Sequence, residues 1–167
     1  VFAGFLMVER FGYDVHEVAG LFLLNGVFNM ILAPKIGQLI VRFGERKALV
    51  FEYIGLIGVF VCYAFVTNAN VAAALYVIDH AFFAIAIAIK TYFQKIADPA
   101  DIAPTAGVAF TINHIAAVFI PIVFGLVWLY SPTAVFLAGA AMAGVSLVLA
   151  MLIPETPAPG NEATIYR

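Results

Sequence analysis

The sequence predicts an all-α, polytopic bundle of transmembrane helices. Hydropathy is the first reason: residues 21–43, 48–66, 71–89, 108–130 and 135–153 form five apolar stretches in close succession. A bilayer core of about 30 Å needs roughly 20 residues at about 1.5 Å rise each, and all five reach that length with some tilt. Composition is the second: the chain is 65% hydrophobic and 11% charged, against about 45–50% and about 25% in average soluble domains. The third is a one-sided placement of Lys and Arg around those stretches.

The same numbers exclude other classes. A net charge of −2 offers no basic face for nucleic acid. The single Cys62 can build neither a disulfide framework nor a zinc site, and it reads as a small packing residue.

Taken in order, residues 1–8 are apolar but span only about 12 Å as a helix, too short to cross. They carry no basic leader region, so they do not read as a signal peptide. The expectation is the outer end of a helix that begins upstream, in a longer chain of which this is the C-terminal part. The stretch 21–43 carries Asn25 and Asn29, four residues apart on one face, and Pro34. The basic turn 44–47 leads into 48–66, where Glu52 lies one to two turns inside, within reach of Arg42, Arg46 or Lys47.

The stretch 71–89 holds Asp79 and His80 about a third of the way in. After it, Lys90 and Lys95, like Lys35 earlier, have stems long enough to reach an interface. Asp98, Pro99 and Asp101 fit a helix stop and restart, with Asp101 or Thr105 as N-cap. The stretch 108–130 carries Thr111, Asn113, His114 and Pro121, and ends at Trp128 and Tyr130, which read equally as interface anchors or packing aromatics. In 135–153, Gly139/Ala143 and Ala140/Gly144 give the small-residue spacing that lets helices approach closely. Residues 1–154 thus read as a membrane bundle, and residues 155–167 as a short disordered tail.

Alternating the loops between two sides leaves Arg10 alone on one. Lys35, Arg42, Arg46, Lys47, Lys90, Lys95 and Arg167 fall on the other. The positive-inside rule makes that side cytoplasmic, the C-terminus with it, and points to a plasma (inner) membrane.

Polar groups in lipid cost at least ~2.5–3.5 kcal/mol when ionisable, so they face protein or a water path. Asp79 and His80 point about 100° apart, so one can face a cavity and the other a neighbouring helix. Desolvation disfavours a charged carboxylate, and histidine titrates near neutrality, so the pair suits a proton or a polar substrate group. A hydrogen-bonded pair joining two helices is the alternative. Asn25 and Asn29 read as cavity lining or as helix glue, and Asn113 and His114 likewise.

The segment Gly37-Gln38-Leu39-Ile40-Val41-Arg42-Phe43-Gly44-Glu45-Arg46-Lys47 resembles the cytoplasmic loop signature G-x-x-x-D-R-x-G-R-[RK] of the major facilitator superfamily (MFS). Gly37, Arg42, Gly44, and Arg46 or Lys47 match; Val41 stands at the acidic position and Glu45 where a basic residue is usual. In that family the first Gly admits close helix approach, the second a tight turn, and the basic residues help lock one conformation. Weakened copies are found in the second half of such transporters. The resemblance implies an MFS-like C-terminal six-helix half with its first helix truncated. Residues 1–8 would end helix seven, and the five stretches would be helices eight to twelve. It also implies that Asn25, Asn29, Asp79, His80, Asn113 and His114 lie on pathway-lining helices, with Gly37, Arg42, Gly44, Arg46 and Lys47 as a cytoplasmic gate.

The expected function is therefore secondary transport of a small solute by alternating access, coupled to a proton. The partners implied are the substrate, the coupling proton, membrane lipid and the missing N-terminal half. No nucleotide-binding loop or H-E-x-x-H pattern is visible, so no cofactor, no metal and no enzymatic activity are expected. The rival readings are a noncatalytic membrane assembly or sensor protein, and a polytopic membrane enzyme using Asp79, His80 and His114.

Overall fold

The computed structural model describes residues 2–164; Val1 and Ile165, Tyr166 and Arg167, the last among the side-assigned cations, lie outside the described residues. The architecture is all-α. Helix α1 is Phe2–Phe11, α2 Val15–Phe43, α3 Glu45–Phe65 and α4 Ala69–Phe83. A 3-10 turn, Ala84–Ala86, joins α4 to α5, Ile87–Ile96; α6 is Pro99–Tyr130 and α7 Pro132–Met151. Five segments are long and apolar enough to cross a membrane: α2, α3, the α4–α5 unit Ala69–Ile96, α6 and α7. They coincide with the five apolar stretches.

The helices outrun those stretches at their starts, and α2, α4, α6 and α7 each begin at a side-chain cap, whereas α3 follows Gly44 without one. Glu17 accepts from the Asp14 backbone N–H at 2.9 Å, so α2 begins at Val15. Asn68 accepts from the Asn70 backbone N–H at 2.8 Å ahead of α4. Asp98 accepts from the Ala100 backbone N–H at 2.9 Å with Pro99 in the first turn. Asp98 is therefore the cap of α6; Asp101 and Thr105 lie inside the helix, and most of 90–107 is helical. Ser131 caps α7 in the same way, ahead of Pro132.

Helix α3 is the centre of the bundle. Its most extensive contact is with α7, and it also meets α2, α4 and α5. Gly139, Ala140 and Ala143 are on that α3–α7 seam: Ala140 and Ala143 are buried, and a Cβ at Gly139 would lie 3.5 Å from the Phe60 ring. The small-residue spacing thus does what it predicts at Gly139, Ala140 and Ala143, whereas Gly144 has nothing within 4 Å of where a Cβ would stand. By contrast, only 6% of the apolar window of α2 and of α6 is buried, against 39% in α3, so these two helices flank the bundle.

Side chains stitch both ends. At the Ser131 end, Trp128 donates to Glu9 at 2.5 Å, Tyr13 to the Ala69 carbonyl at 3.2 Å and Thr133 to the Ala64 carbonyl at 3.1 Å. Trp128 is buried among Phe2, Phe5 and Phe136, which makes it a packing residue, whereas Tyr130 is exposed. At the Gly44 end, residues 154–164 turn back on the bundle. Tyr92 donates to the Glu162 carbonyl at 2.6 Å, and the Thr164 backbone N–H donates to the Leu152 carbonyl at 2.8 Å. Cys62, read from sequence as packed, is exposed on α3.

One contact across α3 and α4 depends on a glycine. The Phe82 ring occupies the space where a Cβ at Gly55 would project. Gly55→Ala is expected to destabilise the bundle by about 1–3 kcal/mol through overpacking. Thermal unfolding in detergent checks this, and an unchanged midpoint contradicts the contact.

Candidate functional site

Polar residues are scarce in this bundle, so their directions define the site. On α2, Asn25 is only 4% exposed, and its side-chain oxygen and nitrogen both lack a hydrogen-bond partner. One turn on, Asn29 is exposed. On α4, His80 is half-buried and faces the same gap. Asn25, Asn29 and His80 together line a cleft of about 170 Å³ between α2 and α4, whose remaining wall is apolar, including Phe28, Leu32 and Ile78. An unsatisfied buried amide is costly, about 1–3 kcal/mol.

His80 is fixed from within its own helix. Its Nδ1 lies 2.9 Å from the Tyr76 carbonyl, and its ring lies 4.5 Å from that of Tyr76. A carbonyl only accepts, so Nδ1 carries the hydrogen, and in the neutral ring Nε2 is the acceptor.

Asp79 turns the other way, as adjacent helical positions must. It is 6% exposed, on the buried stripe of α4 with Ala72, Leu75 and Tyr76. Its Oδ2 is 3.9 Å from His80 Nδ1, and its Oδ1 has no partner. The Tyr63 hydroxyl of α3 is likewise buried without one. Of the adjacent pair, the histidine faces the cleft and the aspartate faces the interior.

Asn113 and His114 are not brought to this cleft. They lie on α6, both exposed. His114 bonds back to the Phe110 carbonyl at 2.8 Å, and the Thr111 hydroxyl donates to the Gly107 carbonyl at 3.0 Å. Asn113 lines a separate gap of about 580 Å³ between α5 and α6, with Lys90, Tyr92, Phe93 and Gln94.

The glycine-basic turn has an unusual backbone at its centre. Gly44 sits at φ 86°, ψ 156°, a conformation essentially restricted to glycine. Space beside Gly37 is open, with nothing within 4 Å of where a Cβ would stand, so close helix approach is absent there. Arg42 lies 5.5 Å from the Phe43 ring. Glu45 is buried and pairs with Lys95 of α5 at 2.6 Å, tying α3 to α5 at this end. Lys95→Ala leaves that buried carboxylate unpaired. A loss of about 1–3 kcal/mol is expected, toward the low end because the lysine is half exposed. A smaller loss in the double variant Glu45→Gln, Lys95→Ala, read by thermal unfolding, would locate the cost in the stranded charge.

Glu52 does not meet Arg42, Arg46 or Lys47. It is 1% exposed, on the buried stripe Ala48, Leu49, Glu52, Leu56, Val59 and Tyr63. An interface anchor needs water, and this side chain has none of that exposure. The signal is present in the sequence, because these positions follow helical spacing. Among the described residues, no group of three or more His, Cys, Asp or Glu side chains converges as a metal site.

Comparison with family models, curated proteins and solved structures finds no match to this chain.

Proposed function

We propose that this chain is the C-terminal half of a proton-coupled secondary transporter of the MFS type. It moves a small polar solute by alternating access. The observation that carries the reading is the buried, unpartnered Asn25 amide in a cleft shared with Asn29 and His80. Polar groups inside a membrane bundle face substrate or ion paths by default. Discontinuous helices near the site are a recurring feature of such transporters, and here a 3-10 turn follows α4 directly. The exposed faces of α2 and α6 accord with docking against an N-terminal half. The charge asymmetry supports a cytoplasmic C-terminus in a plasma (inner) membrane.

In this reading the substrate hydrogen-bonds to Asn25, Asn29 and His80, while Asp79 carries the coupling proton. The Gly44 turn, stiffened by Glu45–Lys95, forms the inner gate. Asn25→Leu removes both hydrogen-bonding functions at similar volume. Solute affinity is expected to fall up to about tenfold per lost hydrogen bond, with expression and folding kept. Uptake titrations in vesicles read this directly, and an unchanged half-saturation concentration removes Asn25 from the substrate site.

A further inference from the structure

Glu52 has no role in the transport cycle proposed for the cleft, yet it is 1% exposed and its Oε2 has no hydrogen-bond partner. Its neighbours along the α3 stripe are apolar: Ala48, Leu49 and Leu56. The cationic and titratable nitrogen groups on α3 and the elements packed against it are Arg46 and Lys47 on α3 itself, His16, Lys35 and Arg42 on α2, His80 on α4, and Lys90 and Lys95 on α5. Among the described residues none of them pairs with Glu52: Lys95 is held by Glu45, and His80 lies 3.9 Å from Asp79. Helix α7 carries no charged side chain. The tyrosines on these elements, Tyr53 beside it on α3, Tyr63, Tyr76 and Tyr92, supply no positive charge. An ionised carboxylate in such a place is uncompensated, whereas a protonated carboxyl is not. A hard cation such as sodium would need several converging oxygens, and no cluster of acids is present among the described residues. The ligand these surroundings suit is a proton.

The position relative to Asp79 gives that proton a direction. Helices α3 and α4 run antiparallel and cross where Phe82 covers Gly55. Glu52 precedes Gly55 by one turn, and Asp79 precedes Phe82 by one turn, so the acids lie on opposite sides of the crossing. Their separation along the helix axes is roughly 9 Å. The Phe82 ring, also packed on Phe51 at 5.5 Å, stands between them. The 3-10 turn Ala84–Ala86 begins two residues later.

We propose that Glu52 is a second proton-binding carboxyl, separated from Asp79 by the Phe82 ring, with the Ala84–Ala86 turn as the hinge that moves that ring. Transfer breaks an O–H bond at the Asp79 carboxyl and forms one at a Glu52 carboxylate oxygen, so one proton moves and the two charges exchange. The path's role in transport rests on the preceding reading; the protonation of Glu52 does not.

Infrared spectroscopy of the full chain in lipid near neutral pH tests this without knowing the solute. The readout is the carbonyl band of a protonated carboxyl group, which shifts in heavy water. The expected result is loss of one such component in Glu52→Gln, a different component lost in Asp79→Asn, and faster exchange into heavy water in Phe82→Ala. An unchanged band in Glu52→Gln overturns the proposal, as does unchanged exchange in Phe82→Ala. Circular dichroism and thermal midpoints check folding; should Glu52→Gln not fold, Glu52→Asp must displace the component instead, and an undisplaced band overturns the proposal. A protein with the Glu52 component but no solute flux keeps this site and loses the transport reading. Flux without that component has the opposite meaning.

Discussion

Asp79→Asn is expected to abolish accumulation of solute against its gradient while leaving expression and helix content intact. The substitution keeps size and hydrogen-bonding capacity but removes the titratable proton. Asp79 is buried in the α3–α4 interior with one carboxyl oxygen unpartnered, so the loss of a proton carrier there has no substitute on α4 except His80. That ring is held by the Tyr76 carbonyl. A proton coupled one-to-one supports about tenfold accumulation per pH unit of gradient, since one unit is worth about 1.4 kcal/mol. The variant should therefore fall to the level set by the solute gradient alone, while exchange of solute across the membrane persists. Uptake into vesicles under an imposed pH gradient measures this. Wild-type accumulation in the variant would make Asp79–His80 a structural pair between helices.

Gly44→Ala is expected to destabilise the fold through its backbone. At φ 86° and ψ 156° the α2–α3 turn uses a region that a Cβ excludes, at a cost on the order of 1–3 kcal/mol. The turn has little freedom to relax, because α3 starts at the next residue with Glu45 buried against Lys95. The Glu155 carbonyl lies 3.8 Å from where the added carbon would stand. Gly37→Ala is the control from the same motif: it lies inside α2 beside open space, and it should be neutral or stabilise by about 0.4–1 kcal/mol. Thermal unfolding of the two variants side by side decides the matter; equal midpoints would mean that Gly44 is not under backbone constraint.

Hydropathy makes the five spanning helices legible, because an apolar run of that length has few other uses. Their starts are less so. The caps at Asp14 and Asp98 lie outside the apolar runs: the stop and restart around Asp98-Pro99 is legible, but the hydrogen bonds decide that Asp98, and not Asp101 or Thr105, is the cap. The divergence of Asp79 and His80 follows from helical geometry, but which one faces α2 depends on tertiary packing. The 3-10 turn has no proline or glycine to announce it. Glu52 looks like an anchor from its distance to the helix start, yet its place on the apolar stripe decides where it points. Asn113 and His114 have the right residue types on an apolar helix, yet α6 packs on α7 and presents them elsewhere. The folding back of residues 154–164 depends on Tyr92 and Leu152, distant partners that composition does not show.

In the proposed alternating access, the cleft between α2 and α4 opens in turn to each side of the membrane. Asn25→Cys, in a Cys62→Ser background, places one thiol in that cleft. Labelling with a charged, membrane-impermeant maleimide, applied separately to right-side-out and inside-out vesicles, measures its access. Alternating access predicts reaction from both sides. Reaction from neither side, or from one side only, would contradict it and leave Asn25 as a helix contact in a bundle that transports nothing.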